Sequence, residues 1–193
     1  MPVTALPVLR VKAREERRVK GGHPWVYSNE IELDVQAKSL PPGSLVPLLD
    51  AHGEGIGIAS FNPHSLIAAR LWTADTAAQV DAAFLAERLR SALALRERFY
   101  AKPYYRLAHA EADGFPGFVI DRYGDALAVQ ANTAGAEYLT PALLEALDTV
   151  LKPRAIVLRN DTGVRKLEGL AEEIKLAAGS LEPRPVVEEG GVR

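Results

Sequence analysis

Cysteine is absent from all 193 residues of this chain. Its absence excludes a disulfide scaffold, a thiolate nucleophile and a cysteine-ligated metal. The sequence also has no apolar run long enough to cross a bilayer and no basic-then-apolar signal at its start, so we expect a cytoplasmic protein with no membrane partner. The net charge is −2, so the chain lacks the overall positive charge that would indicate a nucleic-acid binder.

The rest of the composition is that of an ordinary globular protein, with 48% hydrophobic and 25% charged residues. The length fits one large domain or two small ones. One local charge bias stands out between residues 10 and 20, where six basic residues face only Glu15 and Glu16. Both a phosphate-binding patch and a solvated surface segment remain open as interpretations. The basic residues are Arg10, Lys12, Arg14, Arg17, Arg18 and Lys20.

Short strand patterns separated by turns occupy the first third of the chain. Residues 7–13 alternate apolar and basic side chains, residues 14–20 read as one helical turn, and further strands follow at residues 44–50, 55–61 and 66–72. This spacing predicts a small barrel or sandwich. We place the first domain at residues 1–75.

A long amphipathic helix is predicted over Gln79–Tyr100, with Asp75 or Thr76 as its N-cap and Arg88 among the charged residues of its outer face. It forms a linking segment over residues 76–103. The chain then reads as strands, a helix at residues 134–151 and more strands, which predicts an α+β domain over residues 104–182.

Polar residues cluster at the turn that separates two of these strands. If the strand period of two holds, His109, Glu111 and Asp113 share one face, which suits a metal or an acid–base pair. The alternative is a strand end whose polar groups cap the turn formed by Gly114 and Gly117. No second histidine lies nearby to complete a metal shell.

Two other groups of residues suit RNA. Lys20, His23 and Trp25 combine a cation, an imidazole and an indole, although Trp25 also fits a barrel core. Arg159 and Arg165 are candidates for phosphate binding, against the alternative that the arginines and carboxylates here form internal ion pairs.

The glycines do not form a nucleotide-binding loop. Neither Gly53–Gly57 nor Gly114–Gly117 leads from a strand into a helix, so no dinucleotide, adenosyl or P-loop site is predicted. The sequence also lacks a G-x-S-x-G elbow and a plausible Ser-His-Asp set.

Five segments carry a family resemblance: Lys20–Ile31 with Gly-Gly-His-Pro-Trp, Gly57–Arg70 with Asn-Pro-x-Ser, Arg106–Tyr123 with Asp-Gly-x-Pro-Gly, Ala134–Tyr138, and Arg159–Gly169. In order, they resemble the bacterial 23S rRNA 5-methylcytosine methyltransferases of the large-subunit methyltransferase I type. The resemblance implies a β-barrel-like PUA domain and a strand-strand-helix-strand-strand middle domain, so the expected fold class is mixed α/β (α+β). Residues 183–193 would then begin a truncated methyltransferase domain.

In that family a further Rossmann-like domain binds S-adenosylmethionine and supplies a cysteine that attacks cytosine C6. This chain has no glycine loop for that cofactor and no cysteine. We therefore expect it to lack the catalytic domain, to contain no catalytic, cofactor-binding or metal-binding residue, and to methylate nothing by itself.

The predicted function is the RNA-binding and positioning part of an S-adenosylmethionine-dependent rRNA (cytosine-5) methyltransferase. Its expected partners are 23S rRNA and the missing methyltransferase domain, with a homodimer as a further option. The alternative is a stand-alone RNA-binding or protein-assembly module without enzyme activity. The candidate RNA-binding residues are Lys20, His23, Trp25, Asn62, Arg70, Arg122, Arg159 and Arg165.

Overall fold

The computed structural model describes residues 7–183 and residue 186, and these form two five-stranded sheets joined by a long helix. The α+β class predicted from the sequence is confirmed. No helix within the described part of the chain has the length and apolarity needed to cross a membrane. Most of the segment expected to begin a methyltransferase domain, residues 184, 185 and 187–193, lies outside the described residues.

The first sheet has the order β1-β3-β4-β5-β2, and β1–β3 is its one parallel pair. An isolated bridge pairs Val11, just after β1, with Ile31, in the segment that follows β2, and the sheet is curled toward a half-barrel. Short helices α1 (Glu16–Lys20) and α2 (Val35–Lys38) lie in its connections. The strands are β1 (Leu9–Arg10), β2 (Trp25–Val26), β3 (Ser44–Leu49), β4 (Gly55–Phe61) and β5 (Ala69–Thr73).

The second sheet has the order β10-β9-β8-β7-β6. Only β8 and β9 run parallel, because helix α4 (Ala134–Leu151) connects them as a crossover. Three strands precede α4, one more than in the strand-strand-helix-strand-strand pattern that the resemblance implies. The short helix α5 (Val164–Leu167) precedes the last strand. The strands are β6 (Tyr104–His109), β7 (Phe118–Tyr123), β8 (Ala126–Ala131), β9 (Ala155–Asn160) and β10 (Glu173–Gly179).

Helices α3 (Ala82–Glu97) and α4 pack against each other and, with the inner face of the second sheet, form the larger of two hydrophobic cores. Leu85, Leu89 and Leu143 are fully buried there, and each such leucine contributes about 2 kcal/mol of transfer free energy. Trp72 of β5 belongs to the same core, with its ring centroid 6.3 Å from that of Phe118. The two sheets are therefore connected by apolar packing as well as by the chain.

The predicted start of the long helix is wrong by several residues. Asp81, rather than Asp75 or Thr76, is the N-cap, and its carboxylate accepts the backbone N–H of Phe84 at 3.0 Å. The carboxylate of Asp75 instead accepts the N–H of Ala77 at 2.9 Å and closes a local turn. Aspartate suits both positions equally, so the sequence pattern did not separate them.

Gly117 sits at the closest approach between the β6–β7 turn and the start of α4. Its φ is +77°, and a Cβ atom added to it would lie 2.1 Å from Oγ1 of Thr133. The predicted role of glycine in this turn is confirmed, since both backbone conformation and space exclude a side chain.

We expect Gly117→Ala to lower the free energy of unfolding by more than about 1 kcal/mol, because it adds strain at positive φ and a steric clash. Gly163→Ala is the matched control: its φ is −62° and nothing lies within 4 Å of an added Cβ. Urea denaturation should show that the control is neutral or slightly stabilising. Equal stability of the two variants would contradict the steric account.

Candidate nucleic-acid interface

A partly buried ion pair holds the segment that carries Lys20, His23 and Trp25. The Arg18 guanidinium donates to both oxygens of Glu30, at 2.7 and 2.6 Å. Glu30 also accepts the backbone N–H of Tyr27 at 2.6 Å, and the Arg18 guanidinium carbon lies 4.7 Å from the centre of the Tyr27 ring. Because this contact closes residues 18–30 into one loop, the intervening side chains have a fixed arrangement.

His23 and Trp25 form a compact corner within that loop. Nδ1 of His23 accepts the backbone N–H of Trp25 at 3.2 Å, and the two rings meet edge to face with centroids 5.7 Å apart. Pro24 between them fixes φ and has no N–H of its own. The bond to Nδ1 places the proton of the neutral imidazole on Nε2. Both side chains are half-buried, so neither stands fully in solvent.

Lys20 lies at the end of α1 and is neutralised by two carboxylates. Its Nζ is 2.6 Å from Asp50 and 3.6 Å from Glu54. Asp50 also accepts the backbone N–H groups of His52 and Glu54, both at 2.9 Å, and so closes the β3–β4 turn. The Lys20 ammonium and these N–H bonds lower the pKa of Asp50 to about 2. Lys20 therefore supports this turn whether or not it contacts RNA.

The first contact across the two domains centres on Glu111. One oxygen of its carboxylate accepts the indole N–H of Trp25 at 2.8 Å and the Arg70 guanidinium at 2.9 Å. The guanidinium carbon of Arg70 is 5.4 Å from the centre of the Trp25 ring. The register of β2 against β5 pairs these two residues directly, so the sheet itself presents both to the second domain.

The second contact centres on Glu168, whose side chain is only 6% exposed. Its carboxylate accepts Nδ2 of Asn62 at 2.9 Å and Oγ of Ser65 at 2.9 Å, and it lies 3.5 Å from Arg70. The backbone N–H of Ala134, at the start of α4, is a further donor at 3.4 Å. We call the six side chains of these two contacts the domain clasp: Trp25, Asn62, Ser65, Arg70, Glu111 and Glu168.

Arg88 provides a third connection between the domains. Its guanidinium donates to the backbone carbonyls of Trp72 in β5 and Gly114 in the β6–β7 turn. Burial lowers the pKa of the Arg88 guanidinium below its usual value. The prediction that Arg88 lies on the outer face of the helix is therefore wrong, because a helical period does not identify an arginine that satisfies buried carbonyls.

The candidate arginines of the second domain have different environments. Arg165 is 3% exposed in its side chain and donates to Glu137 and to the carbonyls of Ala131 and Ala171. Arg122 donates to the Tyr105 hydroxyl at 2.9 Å and to the Gly124 carbonyl at 3.0 Å.

Arg159 is the most accessible of the three, with half of its side chain exposed and a bidentate bond to Asp161 at 3.0 and 3.2 Å. The Asp161 carboxylate raises the pKa of the Arg159 guanidinium above its usual value. The structure therefore does not gather the eight candidates into one site. All eight have protein partners. The side chains of Asn62, Arg70 and Arg165 are largely enclosed by protein, whereas the other five retain accessible surface: Lys20, His23, Trp25, Arg122 and Arg159.

The proposed shared face of His109, Glu111 and Asp113 is wrong. Residues 110–113 form a 3-10 turn, which breaks the strand period on which that face depended. Glu111 is directed to the first domain, whereas Asp113 accepts the His109 N–H at 2.8 Å and the Arg96 guanidinium at 2.6 Å. No group of metal-ligating side chains occurs among the described residues. The turn-capping alternative is the correct one for Asp113.

Sequence reasoning missed the cross-domain role of Glu111 and Glu168. Glu168 bonds to residues more than 100 positions earlier in the chain, at Asn62 and Ser65. The available signal was that Glu111 and Glu168 both lie in segments that carry the family resemblance. A sequence segment alone, however, does not show which residues its side chains contact.

Comparison with known proteins agrees with this architecture. Residues 9–74, which contain the first sheet, match the family described as PUA-like domain. Proteins named ribosomal RNA large subunit methyltransferase I, from Shigella boydii and Escherichia coli O157:H7, are 38% identical to this chain over 184 residues. The alignment covers 93% of this chain but 46% of each relative. The chain thus spans about half the length of the curated relatives it matches.

Two solved structures share the fold at low sequence identity. One is a candidate SAM-dependent methyltransferase from Streptococcus mutans, with a TM-score of 0.69, 16% identity, and coverage of 89% of this chain and 43% of that one. The other is a candidate methyltransferase complexed with SAH, with a TM-score of 0.66, 17% identity, and coverage of 78% and 39%. This chain therefore combines a PUA-like domain with an α+β domain, and its homologues are large-subunit rRNA methyltransferases.

We expect Glu168→Ala to lower the free energy of unfolding by about 3 kcal/mol, because Asn62, Ser65 and Arg70 each lose the carboxylate as a hydrogen-bond or ion-pair partner. Glu172→Ala is the matched control, since Glu172 forms only a solvent-accessible pair with Lys166 at 3.1 Å. Urea denaturation of both variants measures the difference. A loss in the Glu168 variant no larger than in the control would contradict a stabilising clasp.

Asp50 should also give the protein a specific acid sensitivity. Its pKa falls from 3.8 to about 2 on folding, so its contribution to stability is complete above about pH 4 and is lost as the pH falls toward 2. We expect Asp50→Asn to be less stable at neutral pH and to lose less stability between pH 4 and 2. Thermal melting across this range tests the slope, and parallel slopes for the two proteins would contradict it.

Proposed function

We propose that this chain is the RNA-binding and positioning part of an S-adenosylmethionine-dependent methyltransferase that acts on cytosine C5 in the large-subunit ribosomal RNA, in the cytoplasm. The observation that carries the proposal is the PUA-like domain at residues 9–74, fixed by a buried clasp to a domain with homologues among large-subunit rRNA methyltransferases. The chain's share of that activity is recognition of the RNA.

Rigid attachment of the first domain supports this role. An enzyme that binds RNA at one place and reacts at another needs a constant distance between the two, since misplacement by about 1 Å can cost a hundredfold in rate. Trp25 and Arg70 on one domain share the carboxylate of Glu111 on the other. The clasp thus makes the recognition surface and the second domain a single body.

The accessible candidates define the surface that we assign to RNA. His23 and the exposed part of the Trp25 ring offer stacking surfaces, and Lys20 lies at the start of the same loop. Arg159 and Arg122 are the corresponding cations of the second domain. Asn62, Arg70 and Arg165 are omitted from this set, because their polar groups are directed into the protein.

S-adenosylmethionine, on which one of the structural neighbours depends by name, does not fit the β8–α4 turn, where a strand leads into a helix. Adenosyl groups bind where a glycine-rich turn leads from a strand into a helix. At the β8–α4 turn a Cβ on Gly135 would lie 2.3 Å from Oγ of Ser60, so the turn is closed by the first domain. Thr133 and Glu168 already accept N–H groups at this helix start. We derive no methyl-transfer step from this chain.

A protein-assembly role is the second candidate, and one observation favours it. Ile174 and Leu176 of β10 are exposed, and so are Val164 and Leu167 of α5. An exposed edge strand with apolar side chains is a surface that proteins usually cover. This candidate predicts self-association and indifference to RNA.

Fluorescence anisotropy with a labelled fragment of large-subunit ribosomal RNA tests the proposed function. We expect binding that weakens steeply between about 50 and 200 mM salt, because phosphate contacts release counterions. A Lys20→Gln/His23→Gln double variant should bind roughly tenfold more weakly. Arg90→Gln is the control, because Arg90 forms only an exposed i,i+3 pair on α3.

Absence of salt-dependent binding by the unsubstituted protein would overturn the proposal. Equal affinity of the double variant and the control for the RNA would contradict the assignment of Lys20 and His23 to the RNA-binding surface. Sedimentation of the same samples separates the assembly alternative, and thermal melting verifies that each variant is folded.

A further inference from the structure

The turn that follows α3 carries aromatic side chains that the fold leaves exposed. Phe99 is 74% exposed and Tyr100 is 51% exposed. With Leu95 and Arg96 they line one wall of a groove whose other wall is Arg106 and His109 of β6. We call these six residues the α3–β6 groove. None of them belongs to the domain clasp or to the surface assigned to RNA above.

The groove is held in place by bonds that leave its aromatic rings accessible. The backbone N–H groups of Phe99 and Tyr100 both bond to the carbonyl of Arg96, at 3.0 and 2.9 Å. The Arg96 guanidinium in turn donates to the carbonyl of Arg106 at 2.8 Å and to Asp113 at 2.6 Å. The Tyr100 ring packs against the Tyr105 ring, with centroids 5.3 Å apart. The walls are thus preformed rather than loose.

The segment that lines the groove is basic, although Asp113 pairs with Arg96 and Asp121 pairs with Arg106. Residues 96–109 contain Glu97 as their one acidic residue, against four arginines and lysines and one histidine. Arg98 and Lys102 are exposed, and neither has an ion-pair partner within residues 7–183. Their charges are therefore available to an anionic ligand.

We propose that the α3–β6 groove binds unpaired RNA, with a base stacked on Phe99 or Tyr100 and phosphates at Arg98 and Lys102. This inference rests on the proposed function and extends it to a second surface. Single strands are bound by aromatic faces combined with a cationic track, because every base has a π-face and every linkage a negative charge. Exposed rings beside unpaired cations match both requirements.

The same features argue against a protein occupant. Lysine is depleted at protein interfaces, and a buried interface would leave Arg98 and Lys102 without counter-charges. A second copy of this chain would bring one basic groove against another across a twofold axis. RNA is the occupant whose charge complements the groove.

An oligouridylate of about twelve nucleotides with one central 2-aminopurine is the probe, because stacking quenches its fluorescence. We expect Phe99→Leu, which keeps the apolar character but not the ring, to lose the quenching and to weaken binding about 5- to 150-fold. Phe99→Tyr should retain both. Leu167→Ala is the control for an exposed apolar residue elsewhere.

A second measurement follows the charges. Arg98→Gln should reduce the slope of log affinity against log salt by about one, as expected for one lost phosphate contact. Arg90→Gln, on the same helix, should leave that slope unchanged.

The outcomes separate this inference from the proposed function. Failure of the unsubstituted protein to bind any fragment of large-subunit ribosomal RNA would overturn the proposed function. Normal binding of that fragment with no quenching of the oligouridylate, or with quenching unaffected by Phe99→Leu, would overturn the groove alone. Sedimentation that shifts to monomer on Phe99→Leu would identify an interface between copies and would likewise overturn it.

Discussion

The arrangement of the two domains depends on the buried carboxylate of Glu168. Removing such a group from water costs several kcal/mol, and the cost is offset only when its hydrogen-bonding capacity is filled. Asn62, Ser65 and Arg70 of the first domain fill it, together with a backbone N–H at the start of α4. Any relative movement of the domains would separate the carboxylate from three of these partners at once. Apolar packing around Trp72 also stabilises the contact between the domains, but the directional polar contacts fix their relative orientation.

A fixed orientation changes how this protein can engage a long ligand. Surfaces on the PUA-like domain and on the α+β domain act as parts of one body, so a long ligand held by one surface would meet the other at an effectively high local concentration. The loop that carries His23 is itself closed by Arg18 and Glu30, and the α3–β6 groove is closed by Arg96. Preformed surfaces lose little conformational freedom on binding. Recognition through several modest contacts is consistent with this design.

Sequence reasoning predicted the elements of this fold better than their contacts. The strands, the two long helices and the Gly114–Gly117 turn follow from periodicity and glycine placement, which are local properties. The domain clasp does not, because Asn62 and Glu168 are 106 positions apart and each pattern looks the same whether its partner is RNA or protein. Arg165 was treated as a phosphate ligand for the same reason. The exposure of Phe99 was not predicted either, since a helical pattern treats any aromatic residue as part of the core.

The long separation between clasp partners has a consequence for biosynthesis. At about 5–20 residues per second, a ribosome that has released Asn62 needs about 5–20 s to reach Glu168. During that interval Asn62 and Ser65 of the nascent first domain lack the Glu168 carboxylate that accepts their hydrogen bonds. The contacts between the two domains are therefore complete only after most of the second domain has been synthesised. A ribosome that stalls between the two domains would leave these polar groups and the surrounding apolar surface uncovered, and such a surface is a target for chaperones.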